Sequence, residues 1–113
     1  YINAHGNGIL SYDINETQAI KEVFGEFAYD LPVASIKPIT GHSISASAIF
    51  QVVTSLLAIR DGVIPPTINL DNPDDGCDLD FVPNVARHKE INTAMSNSFG
   101  FGGTNATVLF RKP

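Results

Sequence analysis

The order of apolar and polar residues divides the first half of the chain into four elements. Residues 1–4 form a short extended run that ends at a glycine-containing loop. Apolar residues then recur at helical spacing behind Asp13 and Glu16, whose spacing is that of a capping box. Residues 31–36 favour a second strand, and residues 43–60 predict a longer second helix.

The second half of the chain has a different pattern. Residues 63–89 are rich in proline, asparagine, aspartate and glycine, which predicts irregular structure wrapped over a surface. Residues 90–96 and 104–110 predict two strands, and the three glycines in residues 99–103 favour a tight turn between them. The predicted order is strand–helix–strand–helix–strand–strand, an α/β fold.

The second predicted helix has more apolar surface than a chain of this length can bury. Residues 43–60 are apolar on most sides, so we expect that helix to be buried nearly all round. A chain of 113 residues covers such a helix poorly. The chain also begins at Tyr1, without methionine, in an extended run. We therefore expect a C-terminal piece of a longer protein whose N-terminal half is missing.

Composition excludes several classes of protein. Seven Lys and Arg against twelve Asp and Glu give a net charge of -5 with no basic run, which argues against nucleic-acid binding. Polar residues interrupt the longest apolar stretch, residues 44–59, which is shorter than the roughly 20 residues of a membrane span. A single cysteine forms neither an internal disulfide nor a cysteine-rich metal site.

Two histidines and a lysine are candidates for chemistry. His5 follows the first strand, and His42 immediately precedes the second helix, where the helix dipole keeps an imidazole neutral. A neutral imidazole can donate a hydrogen bond to a developing oxyanion. Lys37, in the turn of residues 37–42, could supply fixed positive charge. The alternatives are that both histidines cap loop backbone and that the lysine is a solvated surface residue.

Other candidate residues are interpreted as structural. Acidic neighbours should raise the pKa of the Cys77 thiol, so we do not expect a nucleophile there. His88, between Arg87 and Lys89, is predicted to lie on the surface. No metal site is predicted, because His5 and His42 lie on different elements and no third ligand has a recognised spacing.

Four segments together resemble the C-terminal part of a β-ketoacyl-acyl carrier protein synthase, of the elongating type II kind within the thiolase superfamily. The resemblance runs through the whole chain in order and corresponds to roughly the last quarter of that family's chain. The segments are Asn3-Ala4-His5-Gly6, Lys37-Pro38-Ile39-Thr40-Gly41-His42, Ile64-Pro65-Pro66-Thr67-Ile68-Asn69 with Gly76-Cys77-Asp78-Leu79-Asp80-Phe81-Val82-Pro83, and Asn97-Ser98-Phe99-Gly100-Phe101-Gly102-Gly103-Thr104-Asn105.

The resemblance implies a Cys-His-His site for condensing acyl groups, with its nucleophilic cysteine in the missing N-terminal half. His5 and His42 match the histidines that assist decarboxylation of malonyl-carrier protein and stabilise enolate and thioester oxygens. Lys37 matches the lysine that orders the site. Phe101 matches the residue that gates access to the cysteine, in a loop with Phe99, Gly100 and Gly102.

Three positions depart from that family's pattern. Asn7 and Ile9 stand where the family has threonines that contact the pantetheine arm. Gln51 stands where the family has a glutamate that pairs with the lysine, so Lys37 should lose its charge partner and deprotonate more easily if buried. The departures motivate an alternative, a non-catalytic chain-length-determining or scaffold subunit paired with an active synthase.

The resemblance sets further expectations. The fold should be the C-terminal half of a thiolase-like layered sandwich, with residues 1–113 as one domain of a homodimer that is inactive without its other half. We expect a cytoplasmic acyltransferase of fatty-acid or polyketide synthesis, without a cofactor or metal of its own. Acyl and malonyl thioesters should arrive on the phosphopantetheine of acyl carrier protein.

Overall fold

Parallel strands and their crossover helices build most of the chain. The computed structural model describes all residues 1–113. Its elements are β1 (Ile2–Asn3), α1 (Leu10–Phe24), β2 (Val33–Ala34), α2 (Lys37–Thr40), α3 (Ser47–Asp61), β3 (Val63–Ile64), β4 (Arg87–His88), β5 (Thr93–Phe99) and β6 (Asn105–Arg111).

One four-stranded sheet has the order β2-β1-β5-β6. Strand β1 pairs in parallel with both β2 and β5, whereas β6 pairs antiparallel with β5. The carboxyl ends of β1, β2 and β5 therefore lie at one edge of the sheet, where open α/β sheets place their functional groups. His5 follows β1 at this edge and Lys37 follows β2.

Successive residues of the strands face opposite sides of the sheet and fill two apolar clusters. The cluster beneath α1 contains Ile2, Ala4, Ile20, Ala28, Val33 and Leu79. The cluster beneath α3 contains Ala34, Ala58, Ile64, Val82, Ile91 and Ala94. The predicted order of strands and helices is confirmed for this four-stranded sheet and for α1 and α3, which cover one face each.

The predicted capping box is wrong. Helix α1 begins at Leu10, one turn before Asp13, and its N-terminal cap residue makes no side-chain hydrogen bond. The Asp13 carboxylate instead accepts hydrogen bonds from the backbone N–H groups of Asn7 and Gly8. Asp13 therefore orders the loop that follows β1, a role that spacing alone did not indicate.

Two segments predicted to be irregular contain short helices or strands. The turn after β2 includes the single helical turn α2, which contains Pro38 in its first turn. Residues 63–89 begin with β3 and end with β4, which pair antiparallel and form a second, two-stranded sheet. The segment between them has no strand or helix, as expected for that composition.

Helix α3 is buried on one face only, so the expectation that it is buried nearly all round is wrong within this chain. Its buried face consists of Ser47, Gln51, Ser55 and Ala58. Its opposite face exposes large apolar side chains between 40% and 66%: Ile49, Phe50, Val53, Leu56 and Leu57. This apolar face is unusually exposed for a monomeric protein.

The helical stretch Ile44–Asp61 is long and apolar enough, by length and composition alone, to cross a membrane. Its polar face packs against the sheet, where Gln51 and Ser55 form hydrogen bonds with Asn3. Such contacts favour a core helix of an α/β protein. That the chain has no membrane span stays a prediction.

The 113-residue chain produced alone should self-associate or melt broadly, because the apolar face of α3 is unpaired. Replacing Ile49, Val53 and Leu56 with serine should reduce self-association, as measured by analytical ultracentrifugation. A sharp melt of a monomer, at a temperature independent of protein concentration, would contradict this expectation.

Candidate functional site

His5 is held at the end of β1 with its ring inside the protein. The residue is 6% exposed, and its Nδ1 accepts a hydrogen bond from the Phe99 backbone N–H at 3.2 Å. Burial, with smaller effects from Lys37 and His42, lowers the pKa of His5 to about 4. The ring is therefore neutral near pH 7 and carries its proton on Nε2.

His42 is exposed and lies just before the 3-10 turn Ile44–Ala46 that leads into α3. The Ile44 backbone N–H donates a hydrogen bond to the His42 Nδ1 at 3.1 Å. The Ser47 hydroxyl oxygen lies 3.1 Å from the same nitrogen. Ile44 is a β-branched residue with a positive φ of 48°, which is strained backbone. Because Nδ1 accepts the Ile44 N–H bond, the Nε2 atom of His42 is the one left to carry a hydrogen.

The two imidazoles form one cluster. The ring centroids of His5 and His42 lie 5.8 Å apart, with an angle of 82° between the ring planes. The Phe99 ring lies 5.1 Å from the His5 ring, centroid to centroid. Both rings accept backbone N–H bonds, as the capping alternative expects, and in addition residues 37 positions apart meet edge to face.

Lys37 is 6% exposed, so its interpretation as a solvated surface residue is wrong. Its Nζ donates a hydrogen bond to the His5 carbonyl oxygen and lies 3.5 Å from Gln51 Oε1. Burial lowers the pKa of Lys37, and the carboxylates of Glu16 and Asp13 oppose that shift. The Glu16 and Asp13 carboxylates therefore place negative charge near Lys37, although neither is hydrogen-bonded to it and position 51 holds a neutral glutamine.

Glu16 is a site residue that the sequence analysis missed. It is 5% exposed, and its carboxylate accepts hydrogen bonds from the backbone N–H groups of His5 and Gly6, both at 3.0 Å. It also accepts a hydrogen bond from Asn97 Nδ2 at 3.1 Å. Burial raises the pKa of Glu16 against these bonds. Its spacing from Asp13 fits an ordinary helix cap, so the sequence carries no separate signal for this role.

Gly6 lies where the loop after β1 passes close to β2. A Cβ atom at this position would lie 2.7 Å from the Ser35 Cβ, and the residue has a φ of +34°. The Ser35 hydroxyl donates a hydrogen bond to the Gly6 carbonyl oxygen at 2.6 Å. A glycine is therefore required directly after His5.

The predicted gate residues form the turn between β5 and β6. Phe101 is 92% exposed, whereas the ring of Phe99 packs against His5. Gly100 donates its backbone N–H to the Thr104 carbonyl oxygen at 2.7 Å, and Gly102 has a φ of 77°. An exposed phenylalanine on a glycine turn is compatible with a gate, and that role stays a prediction.

The positions predicted to contact a pantetheine arm lie in the loop between β1 and α1. The Asn7 Oδ1 accepts a hydrogen bond from the Ile9 backbone N–H at 3.0 Å, and Ile9 is half exposed. The side-chain oxygen of Asn7 is thus hydrogen-bonded within the loop, while its Nδ2 amide group remains free to donate. The substrate contact of both residues stays a prediction.

Two further residues lie where the sequence placed them. The Cys77 thiol is partly buried, and burial raises its pKa, so it is a poor nucleophile. His88 is exposed on β4, away from the two other histidines. No three His, Cys, Asp or Glu residues lie close enough together to hold a metal ion.

The sequence is similar to those of known synthases. The family model described as "Beta-ketoacyl synthase, C-terminal domain" matches residues 1–71. A 3-oxoacyl-[acyl-carrier-protein] synthase 2 from Coxiella burnetii is 57% identical over 112 residues, which cover 99% of this chain and 27% of the relative. The tetracenomycin polyketide synthase ketoacyl synthase alpha subunit from Streptomyces glaucescens is 48% identical, over 100% of this chain and 26% of that protein.

Structural comparisons give the same fold. A type II polyketide ketosynthase solved in complex with its acyl-carrier protein superposes with a TM-score of 0.95 at 41% identity, covering 98% of this chain and 27% of that one. A β-ketoacyl synthase from Burkholderia phymatum gives a TM-score of 0.91 at 32% identity, covering 100% of this chain and 27% of that one. The predicted fold, the C-terminal half of a thiolase-like α/β sandwich, is confirmed.

Nuclear magnetic resonance of 15N-histidine in the full-length protein should show His5 titrating near pH 4, well below the ordinary value of 6.5. Burial and the neighbouring positive charge of Lys37 both oppose protonation of the ring. The His5→Asn variant assigns the resonance. A midpoint near 6.5 would contradict the burial that the structure assigns to this ring.

Glu16→Leu should destabilise the full-length protein by about 2–4 kcal/mol, because two backbone N–H groups lose their acceptor inside the protein. Calorimetric melting temperatures would measure the effect. Glu22→Leu is the matched control, since Glu22 is exposed on the same helix. Equal melting temperatures for the two variants would show that the Glu16 carboxylate is not needed to hold the loop.

Proposed function

The chain belongs to the β-ketoacyl synthase C-terminal domain family, and we propose that it supplies the two histidines and the lysine of a 3-oxoacyl-[acyl-carrier-protein] synthase. The chain spans about a quarter of the length of the curated relatives it matches. In this proposal the nucleophilic cysteine belongs to the remaining part of the protein, and residues 1–113 are inactive alone.

One observation carries the proposal: both histidines use Nδ1 as an acceptor of backbone N–H bonds, which leaves two Nε2–H donors in one cluster. Two such donors suit an oxyanion, because a preorganised donor aimed at developing charge needs no reorganisation during the reaction. The negative charge of an enolate or of a tetrahedral thioester adduct is an oxyanion of this kind.

The proposed reaction is a decarboxylative Claisen condensation. The cysteine thiolate first attacks the acyl thioester, and the carrier sulfur leaves as a thiolate that takes a proton from solvent. Malonyl thioester then loses its carboxylate as CO2. The electron pair of the broken C–C bond forms an enolate, and the enolate oxygen accepts hydrogen bonds from His5 and His42. The enolate carbon attacks the acyl thioester, a C–C bond forms, and the cysteine leaves as thiolate. Lys37 orders this site through the His5 carbonyl oxygen.

The proposal extends to partners and location. Substrates are carried on the phosphopantetheine of acyl carrier protein, a view supported by the ketosynthase solved with its acyl-carrier protein. Asn7 and Ile9 would contact the pantetheine arm, and the turn of Phe99 to Gly102 would gate the cysteine. We also propose a cytoplasmic homodimer that needs no redox, nucleotide or metal cofactor.

A chain-length-determining or scaffold subunit is not favoured. The two relatives described above are a 3-oxoacyl-[acyl-carrier-protein] synthase and a ketoacyl synthase alpha subunit. A non-catalytic subunit also gives no reason for two clustered imidazoles that both use Nδ1 as an acceptor and keep Nε2–H as a donor. These relatives are consistent with a role in either fatty-acid or polyketide synthesis.

His42→Ala in the full-length protein should lower malonyl-carrier-protein decarboxylation by at least about 10²-fold, the order lost when one oxyanion donor is removed. His88→Ala is the matched control, because His88 is exposed on β4. Release of CO2 measures the rate. A scaffold subunit would have no decarboxylation to lose, and an unchanged rate in His42→Ala would refute the proposed role.

A further inference from the structure

Asn97 links the Glu16 carboxylate to the edge of the sheet. The residue lies on β5 and is 7% exposed. Its Nδ2 donates a hydrogen bond to Glu16 Oε1 at 3.1 Å, and its Oδ1 accepts one from the Thr107 hydroxyl at 2.9 Å. Thr107 stands directly opposite Asn97 on β6. Two side-chain hydrogen bonds in series therefore connect α1, β5 and β6.

The bond to Thr107 orients the Asn97 amide. An ionised carboxylate only accepts hydrogen bonds, so the end of the amide beside Glu16 must be the NH2 group. The carbonyl end of the amide then faces β6, where the Thr107 hydroxyl donates to it. Because both ends of the amide have a partner, the donor that faces Glu16 has one defined orientation.

The carboxylate that Asn97 contacts also holds the loop that carries His5. Glu16 Oε1 accepts the His5 backbone N–H in addition to the Asn97 amide, while Oε2 accepts the backbone N–H of Gly6. Burial raises the pKa of Glu16, and these three hydrogen bonds oppose that shift. Two of the three donors are backbone groups, so Asn97 is the donor that a substitution can remove.

The ionisable groups near Glu16 leave its carboxylate without a bonded cation. They are Asp13 on α1, His5 after β1, Lys37 on α2, and Asp74 and Cys77 of the segment between β3 and β4. Strand β5 has no ionisable residue, and that of β6, Arg111, lies at the far end of the strand. A second carboxylate at position 97 would therefore face the first one at hydrogen-bond distance, with no ion pair to compensate.

We propose that Asn97 is a positioning residue: its amide, oriented by Thr107, fixes the Glu16 carboxylate beneath the backbone of His5 and so holds the imidazole in place for substrate. A carboxamide donates to a carboxylate and accepts from a hydroxyl at the same time. An aspartate has the same shape but donates only when it is protonated, so Asn97→Asp should make this support depend on pH. The consequence for turnover rests on the proposed function.

The test compares Asn97→Asp with Asn92→Asp in the full-length protein. Asn92 is exposed just before β5, so its substitution adds the same charge away from Glu16. At pH 8, Asn97→Asp should lower kcat for malonyl-carrier-protein decarboxylation by about 10²-fold relative to Asn92→Asp, the scale of a small misplacement of a catalytic group. At pH 5.5 the loss should shrink to about threefold, because the two carboxyl groups then share a proton that restores the donor.

The melting temperature gives a second readout that does not depend on activity. A shared proton raises the pKa of the carboxyl pair in the folded protein above its value in the unfolded chain, so the stability that is present at low pH is lost as the pH rises. The melting temperature of Asn97→Asp should therefore fall by about 5 °C relative to Asn92→Asp between pH 5.5 and pH 8.

The outcomes separate this proposal from the proposed function. Equal kcat values for Asn97→Asp and Asn92→Asp at pH 8 would overturn the proposal, and so would a loss of the same size at both pH values. If Asn97→Asp does not fold at pH 8, Thr107→Val decides: it removes only the orienting hydroxyl and should lower kcat about threefold, and an unchanged kcat would overturn the proposal. If the unsubstituted protein does not decarboxylate malonyl-carrier protein, the proposed function fails, and a melting-temperature difference that stays constant with pH would still overturn the role of Asn97.

Discussion

The hydrogen bond from the Phe99 backbone N–H to His5 Nδ1 determines the chemistry of this site. It joins residues that are 94 positions apart in sequence and stand at the ends of two adjacent parallel strands. Because it occupies Nδ1, the remaining proton of the neutral ring must lie on Nε2. A side chain that is 6% exposed thereby becomes a donor with a defined direction.

Buried polar groups around the sheet edge support this bond. Glu16 holds the backbone of the loop after β1 through the N–H groups of His5 and Gly6, and it reaches β5 through Asn97. Lys37, which follows β2, donates a hydrogen bond from its Nζ to the carbonyl oxygen of His5. Buried charges are costly unless they are hydrogen-bonded, so such a network is consistent with a functional role. His42 completes the cluster from the strained turn before α3.

The sequence allowed the fold to be predicted because apolar periodicity and glycine-rich turns reflect local constraints. It also indicated His5, His42 and Lys37, since their surroundings resemble a known family. The role of Glu16 could not be derived, because its partners belong to the preceding loop and to β5, and its spacing fits an ordinary helix cap equally well. The exposed face of α3 was mispredicted for a different reason: periodicity reports that a face is apolar, but it does not report whether this chain covers it.

Placement of the hydrogen atoms on the two rings tests the central claim most directly. Joint neutron and X-ray diffraction of the full-length protein would locate the exchangeable hydrogen on each imidazole. We expect neutron density for one hydrogen on Nε2 of both His5 and His42 and none on either Nδ1. A hydrogen on Nδ1 of either ring would contradict this expectation, because that ring could not then accept the backbone N–H bond while presenting a neutral donor to substrate.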